Sequence, residues 1–561
     1  MPASGIALLL PYLLSSTDLR AGQCQNSAMI SSIISQTPST IQIQTEENGW
    51  QKAVSTAGGR QWDAKGVSLL LEADTNETEI VVSAPDCGFQ RIRLRWRAPM
   101  SPDWTYMGDA FERGYGTFAW HHQRPEIPMP WYFFYASDRG LGGLGVACGA
   151  GSFALWRVDD RGIQLELDCR SGGVGVRAGA RQLNLATIRW RDAVDGEGDL
   201  AAATAFCRLL GPETPRLPAE PVYGGNNWYY AYGRSTHDKI LGDAARVASW
   251  SSAANRPWMV IDDCWQPGRS QTYTGGPWHS GNRHFPDMPG LAAGIRNAGA
   301  KPGIWYRPLL TDGFIPDNWR IRAERPKAWT DQRAFLDPTV PEVQQLLYDD
   351  MQRLVGWGYD LVKHDFSTYD LLGYWGNGYA GPWIEDGWTL HDRSRTNAEV
   401  VKDLYDLLRE AAGDALLIGC NTIGHLAAGT HEIQRTGDDT SGTNWDQTRR
   451  MGVNTLAFRM AQHDTFFAVD ADCVGLTRQV PWALNRQWLD VLARSGTPLF
   501  VSAEPEAVGP EQAAALKEAF AMAAQPRAVA DPLDWRTTTC PSHWATADGE
   551  MTYDWFDAED D

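Results

Sequence analysis

"DLVKHDFSTYD", residues 360–370, sets Lys363, His364 and Asp365 at the end of a short apolar run, with neither glycine nor proline to mark a turn. An apolar run of this length closed by charge reads as a buried strand with polar groups at its C-terminal edge. Alternation along a strand puts Lys363 and Asp365 on one side and His364 on the other. His364 then faces a helix layer as a packing residue. Asp370, past the strand, reads as an ordinary loop acid.

Working outward, seven more segments share this grammar: "VYGGNNW", "WMVIDDCW", "PGIWYRP", "LLIGCN", "HEIQRTGDD", "FFAVDADC" and "PLFVS". Amphipathic helical stretches separate them. One, from 341 to 355, lines up Val343, Leu346, Leu347, Met351, Leu354 and Val355, with Thr339 and Glu342 expected as a capping box. Another, from Asn397 to Ala412, carries Val401, Leu404, Tyr405, Leu408 and Ala411 on one face and stops at Gly413. Eight strand-like segments alternating with helices over about 300 residues is the count of a (β/α)8 TIM barrel. In such barrels the working residues gather at the C-terminal ends of the strands, where nearly every segment here ends in polar or aromatic residues.

Upstream, from about residue 40 to 195, the period changes to two. "RIRLRWRA" sets Ile92, Leu94, Trp96 and Ala98 on one face, and "GIQLELDC" does the same with Ile163, Leu165, Leu167 and Cys169. This is a large antiparallel β domain. A short helix, Asp199 to Leu210, follows it, and four prolines in "GPETPRLPAEP" make a stiff linker. The expected organisation is a leader or frayed N-terminus (1–30), a β domain (31–211), a linker (212–221), a catalytic barrel (222–528) and a short C-terminal β element (529–561), in which "EMTYDWFD" suggests a small sheet. "GGLGVACGAG" (142–151) has no helix after it, so it reads as a run of β-turns and not as a phosphate loop.

At 561 residues and 43% hydrophobic content, the chain can bury more than one core. The net charge of −19, with no basic stripe, argues against nucleic acid as a partner. No stretch reaches the length of a membrane span. The nine cysteines are scattered without a C-x-x-C pair, which favours a reducing, cytoplasmic setting. The apolar stretch Ile6 to Leu14 lacks a basic flank and a clean cleavage site; secretion stays open as the alternative. A homo-oligomer also stays open. The 26 tryptophans mostly serve cores, yet indoles also stack on sugar faces, and the excess favours a carbohydrate ligand.

Asp365 ends the fourth strand and Asp438 the sixth, so both project over one barrel mouth. Two carboxylates flanking one point are the equipment of glycoside cleavage, one as nucleophile and one as proton donor. Asp439, next in line, is the alternative acid. An isolated Asp is more often a cap or surface partner, but strand-end acids recur here at 262, 263, 365, 438, 439, 470 and 472. Lys363 beside Asp365 would keep it ionised. Asp262 and Asp263 could grip two neighbouring hydroxyls while Trp265 stacks. Asp470 or Asp472 could orient Arg435 or cap the next turn. The pairs His121–His122, His391–Asp392 and His463–Asp464 read as loop or helix-end residues. No His-x-His or Glu-x-x-His partner accompanies the barrel acids, so neither a metal nor a cofactor is expected.

Taken in order, "VIDDCWQ", "KPGIWY", "RAFLDPTVPEV", "DLVKHDF", "IGCN" and "IQRTGDDT" resemble the retaining α-galactosidases of glycoside hydrolase clan D, families 27 and 36, over about residues 221 to 505. The resemblance implies that the N-terminal β domain is a sandwich, as in family 36. It implies Asp365 as nucleophile and Asp438 as acid/base, with Asp262, Asp263, Lys363 and Trp305 binding sugar. Cys420, Asn421 and Arg435 match pocket positions. Two departures, Arg307 in "WYRP" and the segment "NTIGHLAAG", are expected at the pocket rim. The implied substrate is an oligosaccharide or glycoside. A raffinose-synthase-like transglycosylase and a non-catalytic carbohydrate-binding relative are the alternatives.

Overall fold

The fourth segment folds as strand Leu361–His364, and its neighbours on both sides are parallel: Trp305 pairs with Lys363 on one edge and Lys363 with Ile418 on the other. The computed structural model describes residues 29–267, 275–312, 315–321, 333–374 and 384–556; residues 1–28 of the expected leader lie outside them.

All eight segments join one sheet. The strands run Tyr223–Asn226, Trp258–Ile261, Lys301–Tyr306, Leu361–His364, Leu416–Gly419, Ile433–Arg435, Ala468–Asp470, Cys473–Leu476 and Leu499–Ala503, every pairing parallel. The seventh segment is split, since Asp472 adopts a left-handed backbone at φ 72° and divides it into two short strands. The first half pairs with Ile433–Arg435 and the second with Leu499–Ala503. The two ends of the sheet are therefore consecutive pieces of one segment, and the sheet closes into a TIM barrel. Val222, Trp258, Val260, Leu361, Ile418, Ile433 and Phe500 fill its interior.

The two helices read from the sequence are present as Pro341–Gly356 and Asn397–Ala412. The first is not capped as expected. Its N-cap is Val340, one residue later than expected, and the Thr339 hydroxyl donates to Asp337 Oδ1 (2.6 Å) and accepts from the Asp392 N–H (3.1 Å). The second carries a full capping box from Thr396 and Glu399 and ends at Gly413.

The N-terminal half forms two antiparallel sheets of six and eight strands. Strand Phe89–Arg97 turns Ile92, Leu94 and Trp96 into the core, as its alternation requires. The first half of the glycine-rich run 142–151 belongs to strand Gly140–Val146, and the expected turn is confined to Cys148 and Gly149. Rings occupy the space where side chains would lie: a Cβ on Gly142 would fall 2.4 Å from Tyr135, and one on Gly143 the same distance from Phe206. Helix Asp199–Leu210 packs on this strand. The segment 212–221 has no helix or strand. At the far end Asp531–Pro532, His543–Thr546 and Gly549–Thr552 make a small antiparallel sheet.

Sandwich and barrel share one continuous apolar core. At the seam, His425 lies in a cage of Trp131, Phe111 and Phe153, with ring centroids 5.3, 5.8 and 6.3 Å away. Among the described residues no helix is long and apolar enough to cross a membrane.

Candidate active site

A cavity of about 360 Å³ opens at the C-terminal end of the barrel strands. Asp262, Asp263, Trp305, Lys363, Asp365, Asn421, Asp438 and Asp439, all singled out in the sequence, line it. Arg113, Tyr115, Trp228, Phe366 and Gln447 line it as well.

Asp365 is 5% exposed and tightly held. Its Oδ2 accepts from the Trp305 indole (2.9 Å), and its Oδ1 from the backbone N–H groups of Phe366 (2.8 Å) and Asn421 (3.1 Å) and from the Asn421 amide. Burial alone would raise its pKa; the Lys363 ammonium, the Arg113 guanidinium and the Trp305 and Asn421 donors outweigh that and hold the carboxyl down at about 2. Asp365 is thus ionised at any ordinary pH. Phe366, directly after it, takes a left-handed backbone (φ 63°), which breaks the strand and starts helix Ser367–Leu372.

Lys363 does not contact Asp365 directly. Its ammonium sits 2.7 Å from Asp262 Oδ2, which also accepts from Asn226 (2.7 Å). Asp263 Oδ1 accepts from Gln266 (2.8 Å) and from the Cys264 backbone. These two acids form one wall of the cavity. Opposite, Asp438 and Asp439 follow strand Ile433–Arg435, with side chains 29% and 39% exposed.

Several expectations are corrected. Trp265 is fully buried behind the cavity, its indole donating to the Trp305 carbonyl (2.9 Å) and packed against Trp278 and Trp357, so it supports the wall and presents no face to a ligand. Arg435 is likewise sealed in, paired with Asp472 (2.9 Å) and Asp439 (3.4 Å). Asp472 thus orients Arg435, as one reading of "DADC" had it. Arg307 is not at the rim. It is buried, stacked on Phe366 at 4.1 Å and bound through two nitrogens to Asp370 (2.6 and 2.8 Å). Asp370 is therefore no loop acid but the fully buried partner of that arginine. The segment "NTIGHLAAG" leaves the cavity after Asn421 and docks on the sandwich, Gly424 N–H donating to the Phe111 carbonyl (2.9 Å). His364 faces outward as expected, its Nδ1 3.1 Å from His431 Nε2, and burial pushes its pKa down to about 3.

Arg113 and Tyr115 escaped the sequence reading because they lie in the β domain, over 300 residues from the acids they approach. Trp228 follows the first barrel strand directly and could have been found by the same strand-end rule that found Trp305.

Fold and site together define a TIM barrel with an N-terminal β-sandwich and a carboxylate-lined pocket at its mouth. Solved structures similar to this chain include α-galactosidases. One, from Thermus thermophilus, was solved with p-nitrophenyl α-D-galactopyranoside. It is 19% identical at a TM-score of 0.58, the match covering 92% of this chain and 99% of that one. A family 36 α-galactosidase from Geobacillus stearothermophilus is 14% identical (TM-score 0.58; 91% and 79% covered). One from Lactobacillus brevis is also 14% identical (0.54; 86% and 72%). No protein-family model matches the chain.

Proposed function

We propose that the chain is a retaining glycoside hydrolase that removes terminal α-galactose. The observation that carries the reading is Asp365, a buried carboxylate kept ionised at the barrel mouth and sharing its cavity with Asp438. A pocket walled by acids on two sides suits a neutral polyhydroxylated ligand, and the half-buried Trp228 offers ring surface to it. The fold's neighbours include α-galactosidases solved with p-nitrophenyl α-galactoside, stachyose and raffinose, which makes α-galactosides the substrates to try first.

In this reading an Asp365 oxygen attacks the anomeric carbon as the bond to the leaving oxygen breaks, and that oxygen takes the proton of the Asp438 carboxyl. Water then attacks the glycosyl-enzyme. Asp438, now a carboxylate, takes the water's proton, and the ester bond to Asp365 breaks to regenerate both groups. Asp262 and Asp263 accept from sugar hydroxyls, and Lys363 holds Asp262 in place.

Hydrolysis of p-nitrophenyl α-galactoside and raffinose by the chain and three variants tests this. Asp365→Ala should abolish turnover. Asp438→Asn should lower kcat/KM on raffinose by about 100- to 10,000-fold. Full activity in either would refute the assignment, and a loss seen in Asp439→Asn instead would transfer the acid's role to Asp439.

A further inference from the structure

Residues 109–116 belong to the sandwich in sequence, yet they end inside the barrel mouth. Gly114 and Gly437 form a parallel bridge, with Gly114 N–H donating to the Thr436 carbonyl (2.7 Å) and Asp438 N–H to the Gly114 carbonyl (2.8 Å). Neither glycine has room for a side chain: a Cβ on Gly437 would fall 2.0 Å from the Met451 carbonyl and one on Gly114 2.4 Å from Phe118. Arg459 fixes the segment from beneath, donating to Asp109 (2.8 Å), to the carbonyls of Ala110 (3.1 Å) and Glu112 (2.6 Å), and to that of Thr436 (3.0 Å). One buried cation thus ties the sandwich segment to the strand that carries Asp438.

Arg113 uses this rigid base. Its side chain is 6% exposed, with Nη2 2.7 Å from Asp438 Oδ1 and Nη1 3.0 Å from Asp439 Oδ1. We infer that Arg113 is a positioning residue for the acid/base of the site, so that the sandwich supplies part of the working machinery of the barrel. The inference rests on the glycosidase reading above. Asp438 stands in a loop beyond the end of its strand, where sheet geometry no longer aims a side chain. A guanidinium with two N–H groups in a fixed fork can hold two neighbouring carboxylates at once; an ammonium is a single point charge without that directionality. Around the pair stand Glu112 and Tyr115 from the same sandwich segment, Asp439 and Arg435 from the sixth strand and its extension, Asp472 from the seventh and Asp365 from the fourth.

The test uses the full-length chain and two α-galactosides. The dinitrophenyl glycoside departs without needing a proton, whereas the methyl glycoside must receive one. kcat/KM reports the bond-breaking step for both. With Arg113→Gln we expect a loss of about 100-fold on the methyl glycoside and less than about 10-fold on the dinitrophenyl glycoside, the pattern Asp438→Asn should also give. Arg113→Lys should fall between Arg113→Gln and the unmodified chain. Equal losses on both substrates, or no loss on either, overturn the inference. If Arg113→Gln fails to fold by circular dichroism, Arg113→Lys carries the same comparison. The unmodified chain and Asp365→Ala serve as controls. If the chain turns over neither glycoside, or Asp365→Ala keeps full rate, the glycosidase reading fails and this inference with it; if the controls behave, an equal loss removes this inference alone.

Discussion

At the scale of single residues, the barrel mouth stores unlike charges close together, and their energies differ in sign. Asp365 is stabilised as an anion, but Asp470, buried at the end of the seventh strand, is not: burial outweighs the attraction of Arg435 and raises its pKa to about 6. Between about pH 4 and 6 the native state therefore holds a proton that the unfolded chain has released, so this residue makes stability fall as pH rises through that window. Asp470→Asn keeps the acceptor for the Asp472 N–H (2.9 Å) and removes the charge. It should gain up to about 3 kcal/mol at pH 7 and nothing at pH 4. Urea unfolding at the two pH values measures this, and identical curves at pH 7 would contradict it. The same crowding explains which site residues were legible. Lys363 lies on its strand, where period-two alternation decides its direction, and Asp365 follows two residues on in the same phase. Asp262, Asp263, Trp265 and Arg307 all lie one or more residues beyond a strand end, where alternation stops, so tertiary partners decided that the first two face the cavity and the last two do not.

At the scale of elements, helix Asn397–Ala412 shows how one cap can serve two layers. The Thr396 hydroxyl accepts from Glu399 N–H (3.1 Å) and donates to the Gly151 carbonyl in the sandwich (2.6 Å). Thr396→Ala removes a cap worth about 1 kcal/mol and leaves the half-buried Gly151 carbonyl without that donor, for a total of up to about 2 kcal/mol. The midpoint of chemical denaturation should fall accordingly, and an unchanged midpoint would show that the cap is redundant. This helix was readable because its apolar periodicity and a terminal glycine agreed. Thr339 and Glu342 offered the same local signature as its capping box and failed, since the helix there begins one residue later, after N-cap Val340, and the Thr339 hydroxyl accepts from the Asp392 N–H instead. The first half of the run 142–151 was misread because glycine composition signals a turn, while Tyr135 and Phe206, the rings that demand glycine in this strand, lie outside the run.

At the scale of the whole molecule, the seam between sandwich and barrel is built like a core and not like a hinge. Arg459 and Asp109 are 4% and 3% exposed in their ion pair, and His425 is enclosed by sandwich aromatics. Breaking a buried pair of this kind costs roughly 3–5 kcal/mol, so neither half can open cheaply from the other. Calorimetry should show one unfolding transition for the two halves, and two resolved peaks would mean that the seam carries little energy. The bridge between Gly114 and Gly437 adds a consequence in time. Arg113 emerges from the ribosome early, but its partner Asp439 lies 326 positions later. Domains fold in the order they are made, at roughly 5–20 residues per second. The sandwich therefore waits tens of seconds with an arginine and a glycine edge exposed, and the pocket closes only after most of the chain has been translated. A polypeptide terminated before residue 437 can shape its first sheets and still have no site.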